Sequence, residues 1–261
     1  MSAAQREHDR LNSEFWDELC GTTLARSVGV TDASPQSLAR FDAAYLDMYP
    51  YLLGYVPAAL DGERVLEIGL GYGTLGRLLA SRGGDYHGID IARGPVEMMR
   101  HRLEQLGIED AERRVVLGSA LELPHAAGSF DRVFSIGCLH HTGDLPRAIS
   151  EVHRTLRTGG TAVVMLYNRH SLRRLQLGSR GDDEVRATYD RNTGGDPAPV
   201  TEFVSRRRAK ELFARFSTVR VRAENFDELS PLRGRVRLPR RWFLGNLARL
   251  AGLDLYVVAK R

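Results

Sequence analysis

The residues best suited to chemistry cluster around position 70. The run Val65-Leu-Glu-Ile-Gly-Leu-Gly-Tyr-Gly-Thr-Leu-Gly76 starts apolar and ends rich in glycine. It reads as a buried strand that turns through Gly69, Gly71 and Gly73 into a helix. Glycine admits positive φ and lets backbone approach a ligand closely. Amides at the start of the following helix favour a polar or anionic group. Glu67 places a carboxylate inside the strand, two residues before the first glycine. That charge repels a pyrophosphate and can hold an ammonium. Asp90 ends the next strand-like run, where a carboxylate can accept ribose hydroxyls. Gly71, Gly73 and Gly76 also satisfy the G-x-G-x-x-G pattern of dinucleotide turns. A nicotinamide-dependent reductase is therefore a competing expectation.

Further along, His140 and His141 follow a fourth strand-like run, and Tyr167, Asn168 and His170 follow a fifth. An unperturbed histidine titrates near neutrality, which suits a general base. Either histidine can instead anchor the loop before a helix beginning near Asp144 and Pro146. Cys20 and Cys138 cannot build a disulfide framework, and Cys138 reads as an inert thiol. No Cys/His cluster has the spacing of metal ligands, so no metal is expected.

The elements that must position these groups alternate in type. Arg64–Ile68, Tyr86–Asp90, Arg114–Leu117, Arg132–Ile136 and Thr161–Leu166 read as strands, and residues 74–82, 95–106 and 145–157 as the helices between them. Such alternation predicts parallel βαβ units with right-handed crossovers. Thr218–Ala223 and Leu255–Ala259 read as a sixth and a seventh strand, with a helix over 205–215 before them. The expected fold class is α/β, a Rossmann-like, mostly parallel seven-stranded sheet flanked by helices. Residues 1–60 read as helical. Leu38, Phe41, Tyr45, Met48 and Leu52 fall on one helix face, behind Ser34 as N-cap and Pro35 at the first helical position. This segment is expected to form a lid over a domain spanning 61–261. A polar insertion at about 169–204, punctuated by glycine and proline, is expected on the substrate side.

Composition narrows the class further. The 261 residues are 43% hydrophobic and 27% charged, an ordinary balance for a water-soluble globular chain. No apolar run approaches the length of a bilayer span, and the first residues lack the apolar stretch of a signal peptide. A cytoplasmic location is expected. The net charge is +4, yet residues 201–261 hold 15 Arg/Lys against 6 Asp/Glu. That imbalance points to an anionic partner such as RNA, or to a solvated surface. Lys210 and Lys260 are the sole lysines, a codon bias that suggests a high-GC bacterial genome.

An acid, a glycine turn and a second acid match the amino group and ribose of S-adenosylmethionine, which carries no phosphate. From Val65 to Tyr167 the chain resembles the class I S-adenosylmethionine-dependent methyltransferases. Within them it is similar to the ubiquinone/menaquinone-biosynthesis-like group (methyltransferase domain type 11). The resemblance rests on Val65–Gly73, Gly88-Ile-Asp90, Leu121-Glu-Leu-Pro124, Ser129-Phe-Asp-Arg-Val, Leu139-His-His and the run from Glu151 to Gly160, in that order. It implies S-adenosylmethionine as cofactor. Glu67 would orient the glycine turn and the methionine ammonium, and Gly69, Gly71 and Gly73 would approach the aminoacyl part. Asp90 would accept the ribose hydroxyls, Ile91 would pack on the adenine, Ser119 and Ala120 would lie at its edge, and Gly137 near the methionine. Many relatives carry an acid where Ser119 stands. The family fold also adds an antiparallel strand at the sheet edge, a role Leu255–Ala259 would fill. His140, His141 and Tyr167 become candidate catalytic residues for methyl transfer to an O or N atom of a small molecule, plausibly in bacterial specialised metabolism. An RNA methyltransferase using the basic C-terminal third is the alternative. A non-catalytic binder is a third reading. A monomer or homodimer without a membrane partner is expected.

Overall fold

The computed structural model describes residues 2–19, 22–228 and 238–261. Cys20 and the arginines at 233, 235 and 237 lie outside the described residues. The apolar runs become β1 (Arg64–Ile68), β2 (Asp85–Asp90), β3 (Val115–Leu117), β4 (Phe130–Ile136), β5 (Leu156–Tyr167), β6 (Thr218–Glu224) and β7 (Asp254–Lys260). They form one seven-stranded sheet in the order β3-β2-β1-β4-β5-β7-β6. Strands β1 to β5 pair in parallel. The chain moves outward from β1 to β3, then returns to the other side of β1 as β4. That reversal opens a crevice at the carboxyl ends of β1 and β4, where open α/β sheets take their ligands.

Strand β7 is antiparallel as expected, but it does not lie at the edge. It sits between β5 and β6 and is antiparallel to both, so β6 is the outer strand. Burial explains the order. Leu255, Val257 and Ala259 enter the hydrophobic core on one face of the sheet, and Tyr256 enters the core on the other. A strand buried on both faces belongs inside. β6 instead exposes Thr218, Arg220 and Arg222, and the two arginine charges suit an unpaired edge.

Eleven α-helices are named among the described residues: α1 (Ala3–Trp16), α2 (Thr22–Ser27), α3 (Pro35–Met48), α4 (Thr74–Ser81), α5 (Arg93–Gln105), α6 (Ala111–Arg114), α7 (Leu145–Thr155), α8 (Leu172–Leu177), α9 (Asp182–Ala187), α10 (Arg206–Leu212) and α11 (Asn246–Ala251). Helix α3 starts as its sequence predicts: Ser34 Oγ accepts from the Ser37 amide, with Pro35 in the first turn. Asp144 caps α7 in the same way. The polar insertion at about 169–204 contains two short helices, α8 and α9.

One face of the sheet packs on α7 and α10 through Ala148, Ile149, Val152, Ala209 and Phe213. The other packs on α4, α5 and the 3-10 turn Pro50–Tyr55 through Leu75, Leu79, Met99, Leu103 and Leu52. The N-terminal helices are fixed by polar contacts. Asp42 on α3 is 4% exposed, and its Oδ1 accepts from the Thr74 hydroxyl at 2.6 Å. Arg102, buried on α5, donates to both Asp42 oxygens at 3.0 Å, and Arg77 Nε lies 2.7 Å away. On α1, Gln5 donates to the Thr142 carbonyl and Asn12 to the His141 carbonyl.

Removing one member of a buried ion pair strands the other, at a cost of about 3–5 kcal/mol. Asp42→Ala is expected to lose stability on that scale in urea unfolding. A loss under about 1 kcal/mol would mean that Arg102 finds water or another partner.

Candidate functional site

The crevice at the strand ends opens into a cleft of about 1040 Å³, its mouth included. Its floor is the glycine turn. Gly69, Gly71 and Gly73 all have positive φ, which a side chain resists. A Cβ on Gly69 would also fall 2.4 Å from that of Cys138, so β1 and the end of β4 meet at a spacing only glycine allows. Gly69 and Gly71 line the cleft, whereas Gly73 does not. Gly73 packs against α5, where a Cβ would meet Arg102 and Met99. Gly76 also serves packing: a Cβ there would come within 2.6 Å of Tyr86, Glu67 and Met99. The dinucleotide-like spacing thus has a packing cause in its last two glycines.

Asp90 closes β2 against this turn. Its Oδ2 accepts from the Leu70 amide at 2.7 Å and its Oδ1 from the Ala92 amide at 2.9 Å. A carboxylate has about four lone-pair sites, so acceptor capacity remains for a ligand hydroxyl on each oxygen. Burial pushes its pKa up to about 6, against the backbone hydrogen bonds that favour the charge. Glu67 is more deeply set and accepts from the Tyr86 hydroxyl at 2.6 Å. Burial raises it to about 8, so it holds a proton at neutral pH unless a cation arrives beside it. Ile91, Ser119, Ala120 and Gly137 complete this side of the cleft. Ser119 Oγ accepts from the Leu121 amide at 3.3 Å, and a hydroxyl keeps a donor to offer. Cys138 is half-buried and forms part of the wall.

The roof comes from the N-terminal helices. Asp9, Asn12 and Trp16 of α1 line the cleft, as do Phe41 and Tyr45 of α3 and Tyr72 of the turn. Phe41 stacks on Tyr72 with ring centroids 4.2 Å apart. The aromatic stripe of α3, expected as a lid, contributes Phe41 and Tyr45 to this roof, whereas Asp9, Asn12 and Trp16 are not singled out by the sequence pattern. The spacing of three residues from Asp9 to Asn12, with Trp16 four further on, is the signal that puts them on one helix face.

The three candidate catalytic residues separate. His141 lines the cleft, while His140 and Tyr167 lie outside its lining. The His140 ring packs between His141 and Tyr167, each with centroids 4.2 Å away, and burial holds it well below the usual histidine range. His141 Nδ1–H donates to the Val200 carbonyl at 2.7 Å, and Nε2 lies 3.6 Å from Asp190 Oδ2. Burial lowers His141 and raises Asp190. Tyr167 donates to Asp190 Oδ1 at 3.0 Å. Asp190 had no local signal in the sequence, because its partners lie far away along the chain. Asn168 is a loop anchor: it donates to the Gly252 carbonyl and accepts from the His170 amide. Among the described residues no three His, Cys, Asp or Glu gather as a metal site, and no helix is long and apolar enough to cross a membrane.

Residues 66–164 match the family described as "Methyltransferase domain". This segment is a class I S-adenosylmethionine-dependent methyltransferase domain. The chain is 32% identical over 127 residues to a ubiquinone biosynthesis O-methyltransferase of Pseudomonas aeruginosa, covering 48% of this chain and 53% of that protein. The chain spans between about a quarter and half the length of the first curated relatives it matches. Among solved structures, an S-adenosylmethionine-dependent methyltransferase from Thermotoga maritima shares the fold at a TM-score of 0.57 and 20% identity, over 83% of this chain and 88% of that one. A geranyl diphosphate C-methyltransferase from Streptomyces coelicolor, solved with S-adenosyl-L-homocysteine, has a TM-score of 0.55 and 16% identity, over 99% and 97% of the two chains. The family cofactor is S-adenosylmethionine, and the cleft has the donor set for it. Asp90 keeps acceptor sites beside the turn, and Glu67 is a buried carboxyl with no ion pair among the described residues.

Hydrogen bonds to the ionised form of Asp90 must grow weaker as pH falls through about 6, where the carboxyl takes up a proton. S-adenosylhomocysteine affinity should therefore be full above that pH and decline below it. Asp90→Asn should bind weakly at every pH, with this step missing. Calorimetric titrations from pH 5 to 8 would read both effects, and an unchanged wild-type affinity at pH 5 would exclude ionised Asp90 from the binding.

Proposed function

We propose that the protein is an S-adenosylmethionine-dependent methyltransferase that moves a methyl group to an O or N atom of a small molecule, in bacterial specialised metabolism. The observation that carries this reading is the roofed cleft: a glycine turn and two buried carboxyls below, with α1 and α3 covering them. When bound, S-adenosylmethionine supplies the methyl group as an activated electrophile. This chain's residues then have mainly to orient the acceptor and exclude water, and orientation alone is worth roughly 7–11 kcal/mol of a barrier. In this reading Glu67, Gly69, Gly71, Asp90, Ile91, Ser119, Ala120 and Gly137 hold the cofactor, and Gly73 shapes the turn from behind. The N-terminal helices act as the lid, completing the site and keeping water out. His141 is the candidate that an acceptor can touch; His140 and Tyr167 support it from behind.

The charged wall favours a small acceptor over RNA. The cleft is lined by Asp9, Glu67 and Asp90, and by no Arg or Lys among the described residues. A phosphate backbone needs cationic partners near the reacting end.

Titration of cofactor-free protein with S-adenosylhomocysteine should give micromolar or tighter binding. No binding in a folded sample would remove this reading, and binding of NAD(P)H instead would replace it. Once an acceptor is known, His141→Ala should lower turnover by about 10²–10⁴-fold if the ring moves a proton, with little change in S-adenosylhomocysteine affinity. Full activity would leave His141 as an anchor for the segment around Val200.

A further inference from the structure

The roof carries an unsatisfied acceptor. Asn12 is 3% exposed and lines the cleft. Its Nδ2 donates to the His141 carbonyl at 2.7 Å, which fixes the amide orientation and leaves Oδ1 buried without a partner among the described residues. A buried polar atom in that state calls for a donor. One turn earlier on the same helix face stands Asp9. Its Oδ1 accepts from Gln5 Nε2 at 2.8 Å, and its carboxylate retains capacity at Oδ2. The same cleft is also lined by aromatic rings, those of Trp16, Phe41, Tyr45 and Tyr72. Aromatic faces carry negative charge density and attract cations.

We propose that the acceptor molecule bears a basic amine, which docks against Asp9 and Asn12 within this aromatic enclosure. The proposal rests on the methyl-transfer reading above and narrows its acceptor to an amine-bearing small molecule. Three chemical classes meet this wall differently. An anion faces the carboxylates of Asp9 and Asp90 with no cationic side chain among the described lining residues. A neutral donor satisfies Asn12 Oδ1 but leaves the Asp9 charge uncompensated inside a partly desolvated cleft. An ammonium has three donors and a positive charge, so it satisfies Asn12, neutralises Asp9 and gains from the aromatic faces together. Glu67 and Asp90 belong to the sheet side and the glycine turn, so the α1 pair is a second acidic position in the cleft.

The test loads the protein with saturating S-adenosylhomocysteine, which occupies the cofactor positions, and measures acceptor probes by calorimetry. The probes are phenethylamine, tyramine and tryptamine, each beside its N-acetyl derivative and its matching arylacetic acid. At least one amine should bind ten-fold or more tightly than both of its counterparts. In Asp9→Asn, the ratio of amine affinity to S-adenosylhomocysteine affinity should fall ten-fold or more, with a thermal melt confirming the fold. The proposal is overturned if a neutral or acidic member binds as tightly as its amine, if none of the amines binds, or if the ratio is unchanged in Asp9→Asn. A folded protein that fails to bind S-adenosylhomocysteine removes the methyl-transfer reading itself and this proposal with it. Amine selectivity failing in a protein that does bind S-adenosylhomocysteine removes the amine alone.

Discussion

The position of the roof depends on one buried carboxylate. Asp42 receives the Thr74 hydroxyl and both terminal nitrogens of Arg102, with Arg77 beside it. The acid belongs to α3 and its partners belong to α4 and α5. A charge this deep is tolerated only when paired and hydrogen-bonded, so the three helices can pack in few ways. Thr74 is the first residue of α4, directly after the glycine turn. Phe41 is the neighbour of Asp42 and stacks on Tyr72 inside that turn. One ion cluster therefore sets both the path of the turn and the distance of the roof above it.

The glycines show how a single sequence pattern can serve several physical needs. Gly69 lets β1 approach Cys138 at the end of β4, Gly73 makes room for Arg102, and Gly76 makes room for Tyr86 and Glu67. Only the first of these faces the cleft. A phosphate-binding turn spends its glycines on a ligand, whereas this turn spends two of them on helix packing. Glu67, pressed against Gly76 and bonded to Tyr86, adds a carboxyl where a pyrophosphate would have to pass. The pattern alone could not separate these cases; the neighbours that each missing Cβ would meet can.

Legibility in the sequence followed the range of the interaction concerned. The strands are readable because each is a short apolar run with flanking polar residues, and β1 matches its expected span of Arg64–Ile68. The cap of α3 is readable because Ser34 and Pro35 act within one turn. The place of β7 was not, since strand order depends on which faces the finished core covers. Asp42 and Arg102 are 60 residues apart, and Asn12 reaches a carbonyl 129 residues away. Such pairs leave no local trace. The glycine turn and Asp90 were legible because a strand, a tight turn and a carboxyl after the next strand come in fixed chain order. The direction of a ring is not encoded that way. His140 and Tyr167 are expected at the site from their positions after strands, and of the three candidates only His141 is among the residues lining the cleft.

His141 shows what that direction means for chemistry. Its Nδ1–H is committed to Val200, and its Nε2 faces Asp190 across 3.6 Å. Burial lowers the histidine and raises the acid, while the charge of each opposes its partner's shift. Tyr167 supplies the hydrogen bond to Asp190 Oδ1, so Oδ2 is the oxygen that faces Nε2. The imidazole lone pair is thus directed toward the segment carrying Asp190 and Val200. For the ring to take a proton from a ligand, Asp190 must draw back or give up its position first. Proton transfer at this wall is then tied to where the 190–200 segment sits. Asp9 on α1 has no such partner at Oδ2 among the described residues, and it is the carboxylate that α1 brings to the cleft.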